Sequence, residues 1–430
     1  MLIVDGARQV GKSYIIRHAG MRLFPNYIEV NMEEDKAGDR LFADVGRVDD
    51  FYMALSTFAG SRMGTREDTL VFIDEIQAYP HLFTLIKFLI ADNRFTYIAS
   101  GSLLGVTLQQ TQSIPVGSMR RISMFPLDFE EFVIANGVGE DVIESMRQCF
   151  AETRELPQSL HDKMMDLFRK CLIVGGMPDC VNTFLSEHNV VSVRILQQDI
   201  RELYTRDAAK YEKENLRKLK IQRIYGMIPS NLENRKKRVV AKDVEGKRGK
   251  RMSDYQDEFD YLISAGIAID VKAISQPTYP LVQNMGKNLL KLYLNDVGIF
   301  TGILYNTNIS AIMRDNASVN LGAVYEAVVA QELRAHGFPL FYYDNKQNGE
   351  VDYLIDDHRS LSALPIEVKS GKDYRVHSAL NRFISNPDYH VCRAITFSNE
   401  RRVFTENGIT YMPVYYVMFL SVMPPEGVSI

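Results

Sequence analysis

Asp5-Gly6-Ala7-Arg8-Gln9-Val10-Gly11-Lys12-Ser13 follow directly on the apolar run Leu2-Ile3-Val4. Their types and spacing fit one chemistry, the grip on a phosphate chain. Gly6, Gly11, Lys12 and Ser13 satisfy GxxxxGK[ST]. Glycines let successive backbone N–H groups curl around a phosphate, and the N-terminus of a following helix adds positive partial charge. Ser13-Tyr14-Ile15-Ile16-Arg17-His18 reads as the first turns of that helix. Gly6, Ala7, Arg8, Gln9, Val10, Gly11, Lys12, Ser13 and Tyr14 would then wrap ATP. Lys12 would reach the β- and γ-phosphates while the Ser13 hydroxyl coordinates magnesium. The competing reading is an ordinary glycine-rich strand-to-helix turn, which the complete motif behind a strand disfavours.

A phosphate grip needs acids opposite it. Thr69-Leu70-Val71-Phe72-Ile73-Asp74-Glu75 is an apolar run ending in two, as a strand buried on both faces of a parallel sheet would be. Asp74 is placed to hold the magnesium through water, and Glu75 to orient and deprotonate the attacking water. A third strand, Phe95 to Ala99, ends in Ser100-Gly101-Ser102. Ser100 is a candidate sensor of the γ-phosphate, or equally a turn residue. Arg120 and Arg121 stand where an arginine finger would be expected if subunits share a site, or are surface charges on a strand.

A second constellation lies near the C-terminus. A helix over Leu321–His336 carries Glu326 on its apolar side, among Ala323, Val324, Ala327 and Ala330. Gly349 to Ile355 alternates as a strand and puts Glu350 and Asp352 on one face. Pro365 to Ser370 does the same for Glu367 and Lys369. Glu326, Asp352 and Glu367 would hold magnesium, through Asp352 and Glu367, beside a lysine positioning a hydrolytic water. The alternative is a set of strand-edge charges that pair with one another.

These residues need a large scaffold. At 430 residues the chain is too long for one core. Strands alternating with helices over the first third predict a parallel, doubly wound α/β sheet with its phosphate site beyond the strand C-termini. From about Asp141 to Tyr225 the pattern is helical, broken once at Gly175-Gly176-Met177-Pro178. The stretch 235–251 is strongly basic, with Lys237, Arg238, Lys242, Lys250 and Arg251 among its charges. After it come a helix (Ser253–Ala265), Gly266, a strand, the turn at Pro277 and another strand, the order of a winged helix. The basic run would contact DNA phosphates, or be a solvated loop. Expected divisions are therefore 1–140 (ATPase), 141–285 (helical lid and winged helix) and 286–430 (α/β nuclease-like).

The net charge of −4 argues against a globally basic nucleic-acid coat. Cys149, Cys171, Cys180 and Cys392 are widely spaced and read as reduced thiols rather than a disulfide framework or a zinc site. The loop itself occupies the N-terminal residues, so no secretory signal precedes it, and a fuller module would carry more structure before its first strand. Tyr411 to Met423 is apolar but too short to span a bilayer, which with the rest gives a cytoplasmic expectation and no membrane partner.

GARQVGKS, FIDEIQ, GSLLGV and SIPVGSMRRISMFPLDFEEF together resemble bacterial and archaeal P-loop ATPases of the AAA-type superfamily. In these the ATPase module is joined to a winged-helix region and a C-terminal domain like PD-(D/E)xK nucleases. LYLNDVGIF, GAVYEAVVAQEL, EVDYLI and IEVKSGK are similar to that last domain, so the resemblance covers nearly the whole chain. It implies ATP bound by Gly6 to Ser13, magnesium at Ser13 and Asp74, and water activation by Glu75. It also implies a nuclease-like core at Glu326, Asp352, Glu367 and Lys369. The expected function is a magnesium-dependent ATPase, homo-oligomeric if an arginine is supplied in trans, that couples nucleotide state to a nucleic-acid-binding winged helix. The alternatives are an ATP-regulated DNA nuclease and a slow nucleotide-gated switch that recruits a protein.

Overall fold

The computed structural model describes residues 1–102, 119–210, 215–234, 237–246, 249–285, 289–313, 321–345, 347–371 and 373–422. Most of the stretch GSLLGV to SIPVGSMRR lies outside these residues, as do Arg235, Lys236, Lys247 and Arg248 of the basic run. The chain forms two compact units. One is Met1–Phe125 with the turn Ser264–Ile267, the other Pro126–Ile263 with Ala268–Ile430.

The first unit is built on β1 (Leu2–Asp5), β2 (Asn26–Asn31), β3 (Thr69–Asp74), β4 (Thr96–Gly101) and β5 (Arg120–Ser123). Their order is β2-β3-β4-β1-β5, every pair parallel. β3 is buried along its whole length, which is why its sequence is a continuous apolar run rather than an alternating one. The helices are α1 (Lys12–Leu23), α2 (Met32–Ala37), α3 (Val48–Ala59) and α4 (Leu82–Asp92). Leu55 of α3 and Ile86 of α4 pack with Ile28, Val71, Ile73 and Ala99. Ile16 of α1 instead packs with Val4 and Phe72, residues of opposite parity along their strands. Both faces of the sheet are thus covered, and the C-terminal ends of β1, β3 and β4 bring Asp5, Asp74 and Ser100 toward the same rim.

In the second unit a helical part comes first: α5 (Phe129–Ala135), α6 (Glu140–Ala151), α7 (Gln158–Val174), α8 (Pro178–Glu187), α9 (Val190–Lys210), α10 (Asn215–Glu233), α11 (Ala241–Glu245) and α12 (Gln256–Ser264). α5 starts with a capping box: Asp128 accepts from the Glu131 amide and Glu131 from that of Asp128. β6 (Ala268–Ile274), β7 (Leu290–Leu294), β8 (Phe341–Asn345), β9 (Gly349–Asp357), β10 (Ser362–Val368), β11 (Ala394–Ser398), β12 (Phe404–Glu406) and β13 (Ile409–Pro413) make one mixed sheet. Its order is β12-β13-β11-β10-β9-β8-β6-β7. Between its strands lie α13 (Val297–Leu304), α14 (Ile309–Met313), α15 (Gly322–Ala335) and α16 (Ser378–Ile384).

Of the wing expected within 141–285, β6 is the first strand; it pairs antiparallel with β7, which lies beyond residue 285, Ala268 opposite Leu294, and the stretch after Pro277 holds a 3-10 turn, Leu281–Asn284. β6 also pairs in parallel with β8. The hairpin is therefore an edge of the large sheet, and no division between compact units falls at 285/286. The apolar terminal stretch, too short to span a bilayer, is β13 followed by a buried 3-10 turn, Val414–Phe419. All four cysteines are free thiols, and no helix among the described residues is long and apolar enough to cross a membrane.

Candidate functional site

The loop after β1 has the conformation its glycines predict. Gly6 has φ +139°, and a Cβ there would lie 2.2 Å from the Met124 carbonyl oxygen, so only glycine lets the chain pass β5 at this point. Gly11 caps α1 in the left-handed region at φ 90°. Gln9, at φ 65°, adopts that region without being glycine, a strained conformation of the kind concentrated at ligand clamps. α1 begins Lys12-Ser13-Tyr14-Ile15, with no acid in its first turn, so its N-terminus keeps the positive potential that an anion would meet. Tyr14 is exposed there and stacks on His18.

Lys12 is buried inside this loop, its ammonium donating to the carbonyls of Gly6 (2.9 Å) and Ala7 (2.7 Å). Burial pushes it down to about 8, against the opposing pull of Glu75, Asp74 and Asp5. Ser13 Oγ donates to Asp74 Oδ2 at 2.9 Å. The hydroxyl expected to coordinate magnesium and the acid expected to hold it through water are therefore already neighbours. One hydroxyl and one carboxylate suit a cation that keeps its waters and takes its remaining oxygens from substrate phosphates.

The other carboxylate oxygen of Asp74 accepts from Ser100 Oγ and from the Glu75 amide. Ser100, the candidate γ-phosphate sensor, is fully buried and committed to orienting Asp74. Glu75 sits at φ 51°, left-handed, and turns its carboxylate to Gln77 Nε2 and to Ser102 Oγ, 3.3 Å away. Arg8 Nε donates in turn to Ser102 Oγ at 3.2 Å. Of the arginine-finger candidates, Arg121 is paired with the buried Asp5 through Nε at 2.7 Å, while Arg120 lies on the exposed edge strand β5. Asp5 and Ser102 were not singled out in the sequence. Their position, one residue before the loop and two after the sensor serine, is the only signal there.

The C-terminal constellation also assembles, with different partners from those expected. Glu326 on α15 is buried and bonded to Lys237 Nζ, and Tyr293 donates to its other oxygen at 3.3 Å. Asp352 accepts from the Val368 amide at 2.9 Å across β9 and β10. Lys369 Nζ donates to Glu367 Oε1 at 2.7 Å. Burial, and then the neighbouring Asp352, raise both Glu326 and Glu367, the latter to about 8. Among the described residues no three Asp, Glu, His or Cys side chains stand close enough to hold a metal ion. Lys237 and Lys369 thus pair with Glu326 and Glu367, and Asp352 is engaged by a backbone amide.

Two charges of the basic run have partners within the unit. Lys237 is largely withdrawn from solvent on Glu326, and Arg238 Nη1 pairs with Asp344 at 2.9 Å. Of its described charges, Lys242, Lys250 and Arg251 are exposed.

Three buried polar residues of the second unit were missed in the sequence. Asp296 caps α13 through the Ile299 amide (2.9 Å) and accepts from the Gly176 amide (2.7 Å). It explains the Gly175-Gly176 break, since a Cβ on Gly175 would lie 2.3 Å from its carboxylate. Its place just ahead of an apolar helical run is a readable N-cap signal. Glu332 accepts from the Phe129 amide at 2.8 Å. Arg194 falls on the buried stripe of α9 with Val193, Gln197, Ile200 and Tyr204.

Residues 1–133 match an AAA domain family. The chain carries an AAA-type P-loop ATPase domain at its N-terminus. Residues 165–310 and 321–417 match two domains of unknown function, DUF8612 and DUF4143. No match is found among curated proteins. Solved structures with some likeness include the Thermotoga maritima RuvB Holliday junction branch migration motor, at 14% identity over 62% of this chain and 80% of that one, TM-score 0.26. Cdc6p from Pyrobaculum aerophilum shows 14% identity over 73% and 87%, TM-score 0.24. At such scores the likeness carries no argument about this chain.

Proposed function

We propose that the chain binds ATP in the loop Gly6–Ser13 and hydrolyses it. The observation that carries this reading is the hydrogen bond from Ser13 to Asp74, which joins the start of α1 to the end of β3 beside the buried Lys12. Loop amides and the N-terminus of α1 would hold the phosphate chain, and Lys12 would move from the carbonyls of Gly6 and Ala7 onto the β- and γ-phosphates. Magnesium, when bound at Ser13 and Asp74, would supply charge neutralisation between those phosphates. Ser100 keeps Asp74 oriented. Glu75, held by Gln77 and Ser102, is the base that would orient and deprotonate the attacking water. Catalysis of this kind is positioning and charge stabilisation rather than covalent chemistry.

The test is ATP turnover by the purified chain, with and without DNA. Glu75→Gln should retain ATP binding and lose hydrolysis by about 10²-fold or more. Turnover at the parent rate in that variant would remove Glu75 as the base. Coupling to nucleic acid rests on Lys242, Lys250 and Arg251, and stimulation of turnover by DNA that their replacement abolishes would support it. A second reading, cleavage of nucleic acid at Glu326, Asp352, Glu367 and Lys369, is favoured by the convergence of those groups and opposed by Lys237 on Glu326. Metal-dependent DNA cleavage that is lost in Lys369→Ala would be needed to sustain it.

A further inference from the structure

The second unit contains a cavity of about 510 Å³ between α9 and α13. Its α9 wall presents Arg194, Gln197, Gln198, Arg201 and Thr205, spaced at the three- and four-residue intervals that put side chains on one helix face. The facing wall is Ile299, Gly302 and Ile303. Gly302 makes the close approach of the two helices possible: a Cβ there would lie 3.1 Å from Gln197 Oε1 and 3.2 Å from Arg194 Nη1.

The charges of this cavity do not balance. Three arginines line it, with Glu202 as its single carboxylate. Glu202 is already spent, accepting from Arg206 Nη2 at 3.2 Å and from Gln198 Nε2 at 3.3 Å. Among the described residues no carboxylate comes within ion-pairing distance of Arg194 or Arg201. Arg194 is only 7% exposed. Its Nη1 donates to the Ile173 and Gly298 carbonyls, to Gln197 Oε1 and to Thr301 Oγ1, while Nε and Nη2 are buried without a partner. The opposing charge acting on it is Asp296, whose oxygens are engaged by the Gly176 and Ile299 amides. A buried guanidinium left without a paired carboxylate is costly, and its charge favours an anion in the cavity it lines.

We propose that this cavity is a second anion site, built for the phosphoryl group of a small phosphorylated molecule, with Arg201 as the open ligand and Arg194 as the buried counter-charge. Two guanidiniums without a carboxylate partner among the described residues match a dianionic group. The volume lies within the range of small-molecule pockets, and the Ile299–Ile303 wall offers apolar surface to the body of the ligand. The residues are separate from those of the N-terminal loop, so the site would report on a second phosphorylated compound or a second copy of the nucleotide.

The experiment uses the full chain carrying Lys12→Ala, which silences the loop, with pyrophosphate as the probe in calorimetric titration. Saturable binding at one site per chain is expected, weakened at least tenfold by adding Arg201→Ala. Arg201 is partly exposed, so that variant should keep its unfolding midpoint in urea. A flat titration of the Lys12→Ala chain at millimolar pyrophosphate would overturn the proposal, and so would a binding constant indifferent to Arg201→Ala. Loss of ATP turnover in Lys12→Ala tests the loop alone, so the two readings fail separately.

Discussion

At the residue scale the N-terminal site turns on Lys12. Its buried ammonium is held down to about 8, below the 10.5 of an unfolded lysine. Between those values the folded chain binds fewer protons than the unfolded one, so this group makes stability rise with pH across that window. Below it the full penalty of burying the charge is present. Phosphate oxygens reverse the balance by favouring the ammonium. ATP binding should then take up about half a proton per site at pH 8 and about a tenth at pH 7. Titrations in buffers of different ionisation enthalpy measure this directly, and uptake that does not change between those pH values would point to another group. The glycines of this loop were legible because Gly6 and Gly11 take up φ values that favour glycine. Ser100 was legible as a polar strand end, but its use was not, since only the parallel pairing of β3 with β4 brings it onto Asp74.

At the element scale the second unit is held by polar caps that replace missing backbone partners. Asp296 supplies acceptors to two amides on different elements, Ile299 at the start of α13 and Gly176 in the turn after α7. Asp296→Ala removes both at once and should destabilise the chain by about 2 kcal/mol, combining a lost N-cap with an unsatisfied buried amide. An unchanged urea midpoint at neutral pH would show that water replaces the carboxylate without cost. The two halves of the Asp128–Glu131 box at the start of α5 lie three residues apart, within one stretch of sequence. The Asp296 bridge was only half visible, since Gly176 is distant in the chain. In the basic run, Lys237 and Arg238 find Glu326 and Asp344, because α15 and β8 pass within reach of them, and a run of like charges does not reveal such distant partners.

At the scale of the whole molecule, β6 lies between β8 and β7 in the larger sheet. A fragment starting at residue 286 would lack β6, leaving β7 without its partner and the edge of β8 bare. It should be poorly folded, with weak near-UV circular dichroism and collapsed amide dispersion. A fragment spanning 126–430 retains every strand of that sheet and should fold if the turn at 264–267 tolerates removal of the first unit. A native-like spectrum from the 286–430 fragment would count against the strand order.

What the sequence determined by itself is the local part: the glycine-rich loop after β1, the buried strand ending in Asp74 and Glu75, the alternation of helix and strand, and the acids on α15, β9 and β10. Each is written in neighbouring residues, through periodicity, φ requirements or capping. Tertiary structure alone decided which charges meet. A carboxylate reads the same in a sequence whether a metal, an amide or a lysine will face it, and Lys237 on Glu326, Arg121 on Asp5 and the uncompensated Arg194 depend on how distant segments pack.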